Sequence, residues 1–310
     1  MHPAHSPART LSVADAIFVV VGIVVGAGIF KTPSLVAANS GSDAAVLLLW
    51  LAGGVVATIG ALCYAELAST YPSTGGDYHF LYRAFGRRPA FLFAWARLTV
   101  MQTGSIALLA FVFGDYAAAA LPLAGAQSGV VYAAAAVIVL TLINVIGIRE
   151  GKHTQRVLTS IEIAGLLAVV IVALSLTGQA DLEAQVATPR SSVPGTASIG
   201  AAMVFVLLTY GGWNEAAYVS AEVRGGRAPI ARALVLGISL ITALYLLVNF
   251  AFLHALGREG VAASDAVGAD IMRRAFGDAG VVVVSLLVAV CSLTSINATI
   301  ITGARCNHAV

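Results

Sequence analysis

The chain has 310 residues, of which 59% are hydrophobic and only 10% charged, and its formal net charge is +2. A soluble domain carries about 25% charged residues, so this chain lacks the polar side chains to face water on all sides and most of its surface must face lipid. The small net charge excludes the strongly basic footprint of a nucleic-acid-binding protein.

About 20 consecutive apolar residues cross the hydrocarbon core as a helix, and inside lipid a helix satisfies its own backbone groups. That rule predicts an all-α membrane protein with about eight spans, roughly 13–37, 43–70, 91–120, 129–148, 157–177, 197–221, 231–255 and 279–303. The alternating ten-residue pattern of a membrane β-barrel is absent. The short polar N-terminus, MHPAHSPARTLS, does not read as a signal peptide.

Span one contains VVGIVVGAGIFK, with Gly22, Gly26 and Gly28 in an otherwise apolar run. Glycine inside a helix costs about 0.5–1 kcal/mol relative to alanine. Taken alone, GIVVG also suits close packing of helices through small residues. After span two, the loop TYPSTGGDYHFLYRAFG is amphipathic and aromatic with a Gly75–Gly76 turn, and is expected to lie along the membrane surface or plug one face. Span three carries a single charge, Arg97. Span five carries only Glu162 beyond its polar start, and an ionisable residue within a span marks function by default. A carboxyl there can take up a proton, and Arg97 is a candidate partner for it.

Span six, FVLLTYGGWNEAAY, is interrupted by Gly211 and Gly212. Glycine-interrupted spans at corresponding places in two halves of a chain point to a transporter site built from inverted repeats. The first and sixth spans fit that relationship. Unwinding would free amides and carbonyls at membrane depth, half-helix N-termini attract a carboxylate, and C-terminal carbonyls attract an ammonium group. A zwitterion fits both. Span eight holds Ser292, Thr294, Ser295 and Asn297 near its middle. Cys63, Cys291 and Cys306 have no metal spacing and read as small buried hydrophobes. Neither a nucleophile elbow nor a phosphate loop nor a zinc signature is present, so no enzyme chemistry and no cofactor is expected. Glu66 and Glu222 read as helix-end carboxylates paired with nearby arginines, and His79 and His254 have no companions at metal-ligand spacing.

At GIVVGAGIFKTP, CYAELASTYPSTGGDYHFLYRAFG, AFLFAWARLTV, TYGGWNEAAYVSAEV and SLTSINATIITGAR the chain resembles the amino acid–polyamine–organocation transporters, and within them the L-type amino acid transporters and their bacterial relatives. The resemblance runs from about residue 12 to 306. It implies an inverted-repeat fold of the LeuT type, alternating access, and an amino acid held between spans one and six. It implies that Gly26, Ala27 and Gly28 present amides to the substrate carboxylate, and that Ile23 and Val24 offer carbonyls. Leu208, Tyr210 and Gly211 would face the amine and side chain. Leu208 stands where many relatives have an aromatic gate, with Phe205 one turn earlier. Many relatives carry a lysine near the position of Glu162, so the charge is reversed here. Glu162, Ser292, Thr294 and Ser295 are the coupling candidates.

The family has about twelve spans, so the second repeat, from about residue 197, is expected to be incomplete beside a first repeat of about 13–177. Eleven of the seventeen Lys and Arg residues fall in one set of loops and five in the alternate set. That bias places both termini in the cytoplasm and residues 178–196 outside. The sequence thus reads as a secondary amino acid permease of the plasma or inner membrane, working by exchange or proton symport. The rival reading is a receptor or channel-like protein, or an inactive fragment, that keeps the permease fold.

Overall fold

The computed structural model describes residues 11–73, 75–120, 123, 127–176, 198–219, 222–224 and 227–309. Span one is two helices, α1 (Val13–Val24) and α2 (Gly28–Ala38), bent by 52° at the break between them. α1 starts at a reciprocal cap. Ser12 Oγ accepts from the Asp15 amide at 3.2 Å, and Asp15 Oδ2 accepts from the Ser12 amide at 2.9 Å, which satisfies two orphan donors of the first turn. Span two is the unbroken α3 (Asp43–Thr70), capped by Ser42. The loop after it folds into the short amphipathic α4 (Asp77–Phe85).

Span three is composite. α5 (Arg87–Ala96) runs into a π-helical turn, Arg97–Gln102, and on into α6 (Thr103–Ala120). Span four is α7 (Ser128–Ile146), and span five is α8 (Ile148–Ser175). Span six is α9 (Ile199–Thr209), a 3-10 turn at Trp213–Glu215 and α10 (Ala216–Val219). α11 (Arg227–Ala263) kinks at Gly257. α12 (Val267–Phe276) precedes the long α13 (Asp278–Ala309).

Six of these helical stretches are long and apolar enough to cross a membrane, and the bent α1–α2 pair makes a seventh. The sequence suggests eight. The difference lies in span six, where the glycine break leaves α9 only 11 residues long, too short to cross alone. The loop 178–196 lies outside the described residues.

The buried core runs along α1, α3, α8, α11 and α13. Apolar residues on the outer faces of α3, α6 and α7 are exposed, as lipid-facing surfaces are. Cys63 belongs to that exposed face rather than to the interior, because its position on α3 points away from the neighbouring helices; Cys291 is buried. Asp15 ties the start of α1 to the start of α8 through Arg156 at 2.6 Å and Lys152 at 3.4 Å.

Candidate functional site

Both glycine-marked spans are interrupted. In span one the helix stops at Val24, and Val25 leaves the helical region with ψ of 84°. The Gly26 amide turns back to the Val24 carbonyl at 3.0 Å, while Ile29 and Phe30 donate to Gly26 and Ala27. The first amides of a helix have no intrahelical acceptor, and those of Ala27 and Gly28 reach no backbone carbonyl among the described residues. In span six, Tyr210 caps the end of α9 and Gly212 adopts φ of +104°, a conformation that penalises any side chain. A Cβ on Gly212 would also sit 2.6 Å from Ile23 Cγ2. The two breaks therefore face each other at close range.

The three glycines of span one do different work. Gly22 lies inside α1, where an added Cβ would meet the side chains of Gln155, Thr159 and Thr294. It lets α8 and α13 approach, whereas Gly26 and Gly28 belong to the break.

A cavity of about 460 Å³ lies between the breaks. Ile23, Val24, Gly26, Ala27, Gly28, Leu208, Gly211 and Ser295, all legible in the sequence, line it. Phe205 and Tyr210 do not. Phe205 packs half-buried against the core. Tyr210 turns away from the cavity into an aromatic cluster, its ring centroid 6.0 Å from that of Trp50 and 5.0 Å from that of Tyr245, and its hydroxyl donates to the Trp50 carbonyl at 3.1 Å. The end of α9 is wound so that residue 210 falls on the core side, and position 208 falls on the opposite, 76% exposed side. Among the coupling candidates, Ser295 donates to the Gly22 carbonyl at 3.2 Å. Ser292 and Thr294 donate to the Val288 and Val290 carbonyls of their own helix.

Glu162 is completely buried, beside the Cys291 thiol and the Thr294 hydroxyl of α13. It lies away from the cavity lining, and neither of its oxygens has a partner at hydrogen-bond geometry. The pairing with Arg97 suggested by the sequence does not occur. Arg97 is itself buried, with its Nη2 2.5 Å from Glu215 Oε2 and its guanidinium 4.1 Å over the Tyr218 ring. It does not snorkel, because these two partners on span six hold it inside.

Among the lining residues, Arg97 was marked by the sequence only as a partner for Glu162, and Gln102 was not marked at all. Arg97 and Gln102 bracket the π-helical turn, and such turns recur at functional sites. Gln102 Nε2 reaches the Thr299 carbonyl of α13 at 2.5 Å. Tyr245 was missed as well, a lone tyrosine in an apolar run that is completely buried behind the breaks. Trp213 and Asn214 serve packing and clamping. Trp213 stacks edge-on against Tyr64 at 5.2 Å. Asn214 and the Tyr218 hydroxyl both donate to Asp77 Oδ2, at 3.3 and 3.0 Å, and so fix α4 against span six. Among the described residues, no group of three His, Cys, Asp or Glu side chains is placed to hold a metal ion.

Two interrupted spans facing each other across a cavity that both of them line, inside a bundle of membrane-length helices, define an integral membrane protein of the broken-helix transporter fold. The crystal structure of MhsT in complex with L-phenylalanine shares that fold, with a TM-score of 0.63 at 17% identity over 94% of this chain and 72% of that one. The chain belongs to the amino acid permease family, whose model matches residues 11–310. It is 33% identical over 304 residues to the b(0,+)-type amino acid transporter 1 of Mus musculus, covering 96% of this chain and 61% of that protein. It is 28% identical over 306 residues to the large neutral amino acids transporter small subunit 2 of Homo sapiens, covering 96% and 56%. The chain thus spans well under two thirds of the length of these relatives.

Proposed function

We propose that the chain is the ligand-binding core of a secondary amino acid transporter, which holds an α-amino acid between spans one and six and moves it by alternating access, by exchange or proton symport. The observation that carries this reading is the pair of facing breaks around the cavity. A zwitterion needs a donor set for its carboxylate and an acceptor set for its ammonium group. Ala27 and Gly28 amides at the start of α2 supply the first, reinforced by the positive end of the helix dipole. The carbonyl end of α1 at Ile23, with the end of α9 near Leu208, supplies the second; the Val24 carbonyl already accepts from the Gly26 amide and the Tyr245 hydroxyl. Residues 13–177 and 197–310 act as successive repeats, and the breaks are the joints between them. Glu162, with the hydroxyls of α13, is the coupling group: a carboxyl without an ionic partner in a span can hold and release a proton during the cycle. Both termini lie on the cytoplasmic side.

The test is binding of tritiated L-leucine to the purified chain, compared with Gly28→Leu. A Cβ at Gly28 meets Thr209 only at 3.6 Å, an ordinary contact, so the first carbon of the new side chain fits and the rest of it enters the space of the ligand carboxylate. Binding should be lost with the folded fraction unchanged. Undiminished binding in Gly28→Leu would place the ligand elsewhere.

A further inference from the structure

Among the described residues lining the cavity, Arg97 and Glu215 are the ionisable ones. They come from different spans and meet at 2.5 Å, with side chains only 5% and 16% exposed. The Tyr218 ring packs on the guanidinium from the other side, and the Tyr218 hydroxyl is held in turn by Asp77. Arg97 is therefore held between Glu215 and Tyr218, and the net charge of the pair toward the cavity is zero. The remaining span-three wall is neutral: Met101, Leu108, Leu109 and Val112 are apolar, and Gln102 and Ser105 are uncharged.

We propose that the Arg97–Glu215 pair is the charge filter of this cavity and restricts it to amino acids with neutral side chains. The inference rests on the reading of the cavity as an amino acid site. The α-carboxylate and α-ammonium groups are matched by the helix ends, so the filter acts on the side chain alone. A cationic side chain entering the cavity meets Arg97, and it gains Glu215 only by displacing the guanidinium. That leaves a buried charge without its partner, which costs far more than the pair was worth. An anionic side chain meets the mirror-image problem. A neutral side chain leaves the pair intact and packs on the apolar wall. Discrimination thus comes from an unfavourable state built against the wrong ligand.

Two near-isosteric ligand pairs test this on the unaltered chain, by displacement of tritiated L-leucine. L-norleucine should displace it at concentrations about tenfold or more below L-lysine, and L-glutamine about tenfold or more below L-glutamate, since each pair differs by one charge beside a largely buried ion pair. Arg97→Gln should then bring L-lysine toward L-norleucine, and Glu215→Gln should bring L-glutamate toward L-glutamine, each narrowing its own ratio and not the other. The exchanged pair Arg97→Glu with Glu215→Arg should restore both ratios. Equal displacement within each ligand pair by the unaltered chain overturns the filter. So does a uniform loss of all four ligands in the single variants with both ratios unchanged, which would make the pair a structural tie only. Failure of L-leucine and of all four competitors to bind the unaltered chain would instead overturn the amino acid site itself, and the filter with it.

Discussion

The Tyr245 hydroxyl lies 2.8 Å from the Val24 carbonyl oxygen and 3.2 Å from that of Thr209. Val24 is the last residue of α1 and Thr209 the last of α9, so one side chain of α11 touches the ends of both interrupted helices. A hydroxyl has one proton to donate. It serves one carbonyl fully at a time, and the other is served in passing. Trp50, with its ring centroid 5.4 Å from that of Tyr245, packs edge-on behind it. Tyr245→Phe keeps that packing and removes the donor. It should lower stability in detergent by about 1–3 kcal/mol, the cost of an unsatisfied buried acceptor. Tyr245→Ala adds a cavity and should cost about 3–5 kcal/mol. Thermal unfolding of the two variants checks the order: no loss in Tyr245→Phe would show that packing alone matters there, and equal losses would show that the hydroxyl alone does.

Gly212 combines a positive φ of +104° with a close approach to Ile23. Gly212→Ala should therefore destabilise through two separable causes. The steric part disappears when Ile23 is also changed to Ala. The backbone part, about 1–2 kcal/mol for a side chain in a left-handed conformation, remains. A double variant as stable as Ile23→Ala alone would show that residue 212 relaxes out of the positive-φ region at no cost.

The breaks were legible in the sequence because glycines interrupt two apolar spans at corresponding places in the two halves of the chain, and the structure interrupts both spans there. The division of labour among the glycines was not legible. Gly22 and Gly26 sit in the same GIVVG, yet only the three-dimensional approach of Gln155, Thr159 and Thr294 distinguishes a packing glycine from a hinge. Arg97 and Glu215 stand 118 positions apart, so the sequence offered Arg97 a partner by depth in the membrane and chose Glu162, whereas helix rotation decided for Glu215. Rotation also decided against Tyr210, because a break makes the 3.6-residue period unreliable for the residues beside it.

The orientation can be read with cysteines placed where the chain tolerates them. Gly41, in the turn between α2 and α3, has open space around an added Cβ, and Arg88 is exposed at the opposite end of the bundle near the start of α5. A membrane-impermeant maleimide applied to intact cells should label Gly41→Cys and spare Arg88→Cys, if the excess of Lys and Arg marks the cytoplasmic side. The native Cys63 and Cys291 lie within helices of membrane length and set the background. The inverse pattern would turn the whole bundle over.

Glu162 offers the sharpest test of coupling. Its carboxyl is completely buried on α8, facing the Cys291 thiol and Thr294 hydroxyl of α13, and among the described residues it takes part in no ion pair, Arg97 being committed to Glu215. The Thr294 hydroxyl nearby donates to the Val290 carbonyl at 2.9 Å, so its proton is already used. Such a group gains little from the static fold, and an apolar residue of similar volume would pack at least as well. Under the proposed coupling role, its value would lie in exchanging a proton when the helices around it rearrange. Glu162→Gln keeps the shape and removes the titration. In vesicles loaded with substrate, the variant should bind L-leucine within about twofold of the unaltered chain, because the residue lies outside the cavity lining. Any pH dependence of uptake should flatten. Glu162→Leu should behave alike, which separates loss of the proton site from loss of a hydrogen bond. If both variants keep the full pH profile, the proton is carried elsewhere and Glu162 is only a carboxyl accommodated by the core.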